Sequence, residues 1–187
     1  MPHYRWLSNS HRTVLDAHRR SSHHSAAVSR VRRSLATRLH PVARLGAGVG
    51  ASALALAAIG GAIGAPLLIA PFAATASIKH AMPESPMAAP RSVVGGHLLG
   101  ALVGVAVGTL LGEAALAMAF AATAAAMLMM SLQILHPPAI ATTLIALQQH
   151  GDHWLPVQVA LAGAATLILA AIVLSPLLHG RPYPVRW

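Results

Sequence analysis

The sequence contains no cysteine, which excludes a disulfide framework, a thiol nucleophile and Cys-type zinc or iron–sulfur sites. Acid is almost as scarce, with four Asp and Glu in 187 residues and only 9% charged residues of either sign. An ordinary soluble domain carries roughly 25%. So few carboxylates supply no pair for general acid–base work. No Ser/His/Asp arrangement or phosphate loop occurs either, so the chain is not expected to be an enzyme and no cofactor is expected. What the sequence has in quantity is apolar residues: 56% are hydrophobic and the mean hydropathy is +0.63. Of its 13 Lys and Arg, nine precede residue 45 and two follow residue 180. The net charge of +9 therefore sits at the ends, and the middle is nearly uncharged. That pattern points to a lipid bilayer as partner, with no nucleic acid.

Residues 1–44 hold nine Arg and one acid, Asp16. In 26–40, Val28, Val31, Leu35 and Leu39 recur at helical spacing beside Arg30, Arg32, Arg33 and Arg38, which predicts a short basic amphipathic helix on a membrane surface. A cytoplasmic tail is favoured over an Arg-rich transit peptide, because no small-residue cleavage site follows an apolar core. The membrane part is expected over 45–178 and a short C-terminal tail over 179–187.

A crossing helix needs about 20 apolar residues. Residues 45–78 carry no charge, and Pro66 and Pro71 divide them into a full span near 45–64 and a short piece near 66–79. A second uncharged stretch, Ser92 to Leu135, is interrupted by Glu113 beside Gly112, which predicts two spans joined by a tight turn. The piece 137–149 is again too short to cross, and 157–178 is a last full span. The predicted class is all-α and polytopic, with four transmembrane helices plus two short proline-started half-helices in two span–half–span repeats. Pro71-Phe72-Ala73-Ala74-Thr75-Ala76-Ser77-Ile78 echoes Pro137-Pro138-Ala139-Ile140-Ala141-Thr142-Thr143-Leu144, in keeping with transporter repeats. Four crossings place both termini on one side, and the Arg excess makes that side cytoplasmic. If the half-helices dip and return, the Lys79–Arg91 loop lies outside. If they cross with extended chain, it lies inside. Dipping is the favoured expectation.

Gly96, Gly100, Gly104, Gly108 and Gly112 form a glycine zipper along the second span, a face that lets another backbone approach closely. Packing against this chain's own helices is favoured over a homodimer. Proline suits the first turn of a helix, so each half-helix is expected to open inside the membrane layer with free N–H groups and a partial positive charge, an anion site. Thr75, Ser77, Thr142 and Thr143 would add hydroxyls. Lys79, Arg91, His97 and His136 are the basic groups near these pieces, and an ionisable residue within a span is a functional candidate. Arg91 has pairing with Glu84 or snorkelling to headgroups as alternatives. His23, His24, His150, Asp152 and His153 lie in mobile or surface segments without further ligands, so no metal site is expected.

His136-Pro137-Pro138-Ala139 after Leu132-Gln133-Ile134-Leu135 resembles the signature of HPP family integral membrane proteins, as does Pro83-Glu84-Ser85-Pro86-Met87-Ala88-Ala89-Pro90-Arg91-Ser92-Val93-Val94-Gly95-Gly96-His97. The likeness covers about 45–178. It implies a four-span membrane protein, and for plant chloroplast and cyanobacterial members the implied role is nitrite transport. Some relatives append regulatory domains, which are not expected in this chain. The family usually has Ser-Phe-Gly-Ala where this chain has Pro71-Phe72-Ala73-Ala74. Gly is frequent at Ile140, Asn at Ser92 and Gln at Ala89.

The expected function is membrane transport, by carrier or channel, of a small monovalent inorganic anion, nitrite by resemblance, with His136, His97 and Arg91 supplying positive potential or a titratable proton. Proton coupling through histidine would raise uptake as pH falls through about 6–7. The alternative is a non-transporting membrane scaffold or sensor acting through its basic N-terminal tail. The Ala-rich, Arg-over-Lys composition suggests a bacterial inner membrane.

Overall fold

The computed structural model describes residues 40–185 apart from Leu68 and His150. The basic helix expected over 26–40 falls outside the described residues except for His40, as do His23, His24, His150 and Arg186. Chain contacts separate residues up to Ala43 from a compact unit that begins at Arg44, and the packing below is that of the second unit.

The described residues are all-helical. α1 covers His40–Ile63, α2 Ala70–Ala81, α3 Pro90–Leu111, α4 Ala115–Ser131, α5 Pro138–Leu147 and α6 Leu155–His179, with a 3-10 turn at Pro86–Ala88. Proline stands in the first turn of α2, α3, α5 and α6, where its fixed φ suits a helix and its missing N–H is not needed. α3 stops at Gly112, whose φ of 72° is open to glycine and strained for other residues, and three residues later α4 starts. α1, α3 and α6 are long and apolar enough to cross a membrane. The fourth full span expected from sequence is shorter, since α4 has 17 residues.

Packing sets the direction of each element. At one end, here the first end, Arg181 pairs with Glu84. The Tyr183 hydroxyl donates to the Ala88 carbonyl at 2.8 Å, and the rings of His80 and His179 stack at 5.9 Å. At the second end Gly108, Glu113, Gly151 and His153 line a common cleft. α3 thus runs from the first end to the second and α4 returns, bringing Met129 against Ala139. α5 runs back beside α3, and α6 returns to the first end. In the other half, α1 starts at the first end, where Ser52 Oγ lies 3.0 Å from His80 Nε2, and reaches Gly60 beside the Ala65 carbonyl. The chain turns after α1, with the Ala65 N–H donating to the Gly60 carbonyl at 2.9 Å, and α2 leads back to Lys79 and His80.

This arrangement corrects the dipping expectation. A piece that left and returned on one side would keep both its ends there. Instead Ala139 faces Gly96 and Leu147 faces Gly108, so α5 travels along α3. Ten residues of α5 give about 15 Å of helix, and the chain on either side covers the remaining distance. Within each group of three helices the direction alternates, and because three is odd the group α4–α6 starts from the opposite end to α1–α3.

The glycine face of α3 is filled by α5. A methyl group at Gly100 would lie 2.5 Å from the Ala139 carbonyl oxygen, one at Gly108 2.5 Å from that of Leu147, and one at Gly104 would overlap the Thr143 carbonyl. The stripe is an internal seam, so it is not a free surface for a second copy. On the other side of the bundle Phe72 of α2 is fully buried among Leu56, Leu67, Val159 and Leu167. Its ring fills the space left at Gly163 of α6.

Candidate functional site at the junction of the two short helices

α2 and α5 run antiparallel and overlap near their starts, and α3 brings His97 to the overlap. Thr75 stands four residues after Pro71, and Thr142 four residues after Pro138. Both face His97: its Nε2 is 2.9 Å from Thr75 Oγ1 and its Nδ1 is 2.7 Å from Thr142 Oγ1. One imidazole thereby ties the two short helices together. The equivalence of the threonines also moves the repeat register by one residue, pairing Pro71 with Pro138 where the sequence echo had paired it with Pro137.

His136, held by the chain ahead of α5, adds a second imidazole. Its Nε2 lies 2.8 Å from Thr75 Oγ1 and its Nδ1 is 2.8 Å from the Met87 carbonyl oxygen. The His97 and His136 rings meet edge to face at 5.0 Å, and Phe72 closes the other side of His97 at 4.8 Å. Thr75, His97 and His136 are fully buried.

Donor and acceptor accounting gives this cluster a direction. The Met87 carbonyl accepts, so His136 Nδ1 carries the hydrogen. In a neutral ring Nε2 is then an acceptor, and the Thr75 hydroxyl donates to it. Thr75 Oγ1 accepts from His97 Nε2–H, and His97 Nδ1 accepts from the Thr142 hydroxyl. Every polar atom of the chain Thr142–His97–Thr75–His136–Met87 is satisfied with both imidazoles neutral.

The backbone amides behave differently from expectation. Pro71, Pro137 and Pro138 have no N–H. Phe72 and Ala73 donate to the Ile69 carbonyl, Ala139 to that of His136 and Ile140 to that of Pro137. These N–H groups, expected to be free at the half-helix starts, are therefore bonded within the backbone, and the donors described at the junction are side chains. The remaining residues singled out from sequence lie around it. Thr143 packs beside Gly100 and donates to the Ala139 carbonyl at 3.2 Å. Ser77 turns back to the Ala73 carbonyl at 3.0 Å. Arg91 is exposed in the first turn of α3, and Glu84, its alternative partner, is bonded to Arg181.

Lys79 belongs to a neighbouring polar cluster. It is 2% exposed, donates to the Tyr183 hydroxyl at 3.1 Å, and lies 4.2 Å from the centre of that ring. Burial pushes the Tyr183 phenol above its ordinary range, so it stays protonated and donates onward to Ala88. Among the described residues no three or more His, Asp or Glu side chains gather as metal ligands.

The HPP transmembrane-region family model matches residues 33–184. The chain belongs to the HPP family. It is also similar to two transmembrane proteins of Dictyostelium discoideum, 35% identical over 132 residues and 33% identical over 129. These matches cover 65% and 64% of this chain but 45% and 41% of the relatives, so the chain spans less than half the length of either. No solved structure matches it. The two motifs that resemble the family both end in the junction. The His-Pro-Pro-Ala stretch supplies His136 and the start of α5, and the Pro83–His97 stretch supplies the Met87 carbonyl and His97. Family membership and three long apolar helices make this an integral membrane protein.

Sequence reasoning missed Ser52, His80, His179 and Tyr183. Each lies far along the chain from its partner, at 28 residues for Ser52–His80 and 104 for Lys79–Tyr183, so no local spacing marks them. A lone Lys in an apolar helix was the available signal, because a buried amine needs an acceptor.

Proposed function

We propose that this HPP protein transports a small monovalent anion, nitrite by family resemblance, through the junction of α2, α3 and α5. The observation that carries the reading is His97, buried in an apolar layer and bonded on both ring nitrogens to threonines of two oppositely directed short helices. A polar cluster at that depth is costly and marks a pathway more readily than a fold requirement. Short broken helices meeting at the middle of an inverted repeat are a transporter plan, and Lys79 adds positive potential beside them. In this reading α4 is the fourth full crossing and the short helices complete two further passes. Arg44, Arg91 and Arg181 belong to the first end, and Glu113 and Asp152 to the second. The first end is then cytoplasmic by the excess of positive charge, together with the Lys79–Arg91 loop and both tails.

Purified protein in liposomes tests this by comparing fluxes of nitrite, nitrate, chloride and formate. The expected result is saturable nitrite flux above protein-free vesicles, reduced by about tenfold or more in His97→Ala, the scale of a lost hydrogen bond to a charged partner. No flux of any of the four anions would overturn the proposal. The alternative, a scaffold acting through its basic tail, is separated by deleting residues 1–40, which leaves substantial flux through the junction if transport is the function.

A further inference from the structure

Thr75 has two acceptors for its one hydrogen. Besides His136 Nε2 at 2.8 Å, its hydroxyl reaches the carbonyl of Pro71, one turn back on α2, at 2.9 Å. We infer that the junction is also the binding site of a proton, held on His136 Nε2 and accommodated by rotation of the Thr75 hydroxyl from His136 to the Pro71 carbonyl. The inference rests on the transport reading for its purpose but not for its geometry.

The bookkeeping closes in both states. In the neutral cluster Thr75 donates to His136 and accepts from His97. When a proton from solvent adds to the His136 Nε2 lone pair, that nitrogen becomes a donor. No O–H bond breaks. The Thr75 hydrogen swings to Pro71, and Oγ1 uses its two lone pairs to accept from both imidazoles. The Nδ1–H bond to Met87 and the Thr142–His97 bond are unchanged. Buried polar sites resist gaining a charge because it loses its hydration, and the cost is greatest where the new donor also has no partner. This site contains the partner and a place for the displaced hydrogen.

Loading the proton also changes what the site offers an anion. One N–H points at the Thr75 Oγ1 position in the neutral state, and two converge there in the loaded state. An oxygen of a bound anion that displaces the hydroxyl receives both, and its charge offsets that of the imidazolium. Proton and anion therefore favour each other's binding, and linkage makes that preference reciprocal. Coupled transport of the pair moves no net charge. Among the described residues the titratable or charged groups facing His136 are His97 from α3 and Lys79 from α2, with Tyr183 behind Lys79. Neither histidine nor lysine supplies the negative partner that the imidazolium calls for, which leaves that place to the anion.

The test uses the full chain labelled with 15N-histidine in micelles, its signals resolved with His97→Gln and His136→Gln. At alkaline pH His97 is expected to carry its hydrogen on Nε2 and His136 on Nδ1. On acidification one proton should enter the pair, at His136 Nε2. Thr75→Val should move that midpoint by about one pH unit or more, and Thr75→Ser should restore it. A His136 hydrogen on Nε2 at alkaline pH, or independent uptake of one proton by each ring, overturns the inference. In liposomes clamped at zero potential, an inward proton gradient should drive nitrite uptake above protein-free vesicles, by up to about tenfold per pH unit. Nitrite uptake that ignores the gradient defeats the coupling and leaves transport standing. Absent uptake with the expected tautomers defeats transport and leaves the proton site standing.

Discussion

The buried Tyr183 hydroxyl links Lys79 to the Ala88 carbonyl, and removing either side of that link has a separable outcome. Tyr183 accepts from Lys79 and donates to the Ala88 carbonyl, so Tyr183→Phe strands an amine and a carbonyl. A buried group left without its partner costs about 1–3 kcal/mol. Lys79→Met, by contrast, removes the buried charge and leaves Tyr183 bonded to Ala88, a replacement that is often neutral or stabilising. Thermal unfolding in detergent should therefore rank Tyr183→Phe below Lys79→Met, and the reverse order would contradict the bonding described. At this scale the sequence was informative where chemistry is rare. His97, His136 and Lys79 stand out in a chain with almost no polar interior, and Thr75 and Thr142 follow the prolines that start the short helices. Which threonine meets which ring nitrogen depends on how α2 and α5 overlap. Sequence spacing does not encode that overlap, and Ser77 illustrates the point: like Thr75 it reaches the carbonyl one turn back on α2, but Thr75, two residues away, also meets two imidazoles.

Helices were the most legible level, because uncharged runs, prolines and Gly112 mark their lengths and ends. The expected span at 157–178 is α6 at Leu155–His179, and the expected break at Glu113 is the α3–α4 turn. Directions were less legible. Nothing in a ten-residue apolar segment states whether it dips or travels, and only its contacts with Gly96 at one end and Gly108 at the other decide the matter. The seam between α3 and α5 can be tested by adding side chains. Gly104→Val forces atoms into the Thr143 carbonyl and the Ala146 methyl, and overpacking of this kind costs roughly 1–3 kcal/mol. Gly46→Ala meets nothing within 4 Å, and it should be neutral or gain up to about 1 kcal/mol from helix propensity. Melting temperatures of the two variants in the same detergent check both signs, and a destabilised Gly46→Ala beside an unaffected Gly104→Val would refute the seam.

For the molecule as a whole, the absence of cysteine is an experimental advantage, since any introduced thiol is unique. In the proposed reading the short helices complete two further passes, which places residue 85 and residue 185 at the same end of the bundle and residue 114 at the other. A dipping arrangement would set 114 with the C-terminal segment and 85 opposite. Single variants Ser85→Cys, Ala114→Cys and Val185→Cys, labelled in intact cells with an impermeant maleimide, distinguish them. The expected pattern is Ala114→Cys labelled from outside, with the other two labelled only after the membrane is opened. Labelling of Ser85→Cys in intact cells, with Ala114→Cys protected, would restore the dipping topology.

The seat of Phe72 has a mechanical consequence. Its ring lies in the notch at Gly163 of the last helix and touches the imidazole that joins the short helices, so it works as a follower between the two. A tilt of α6 that narrows the notch presses the ring toward His97, and one that widens it lets the imidazole relax. Rocking of the bundle would thus reach His97, held on both ring nitrogens by the short helices, by direct contact, with no change needed in the chain at either face of the membrane.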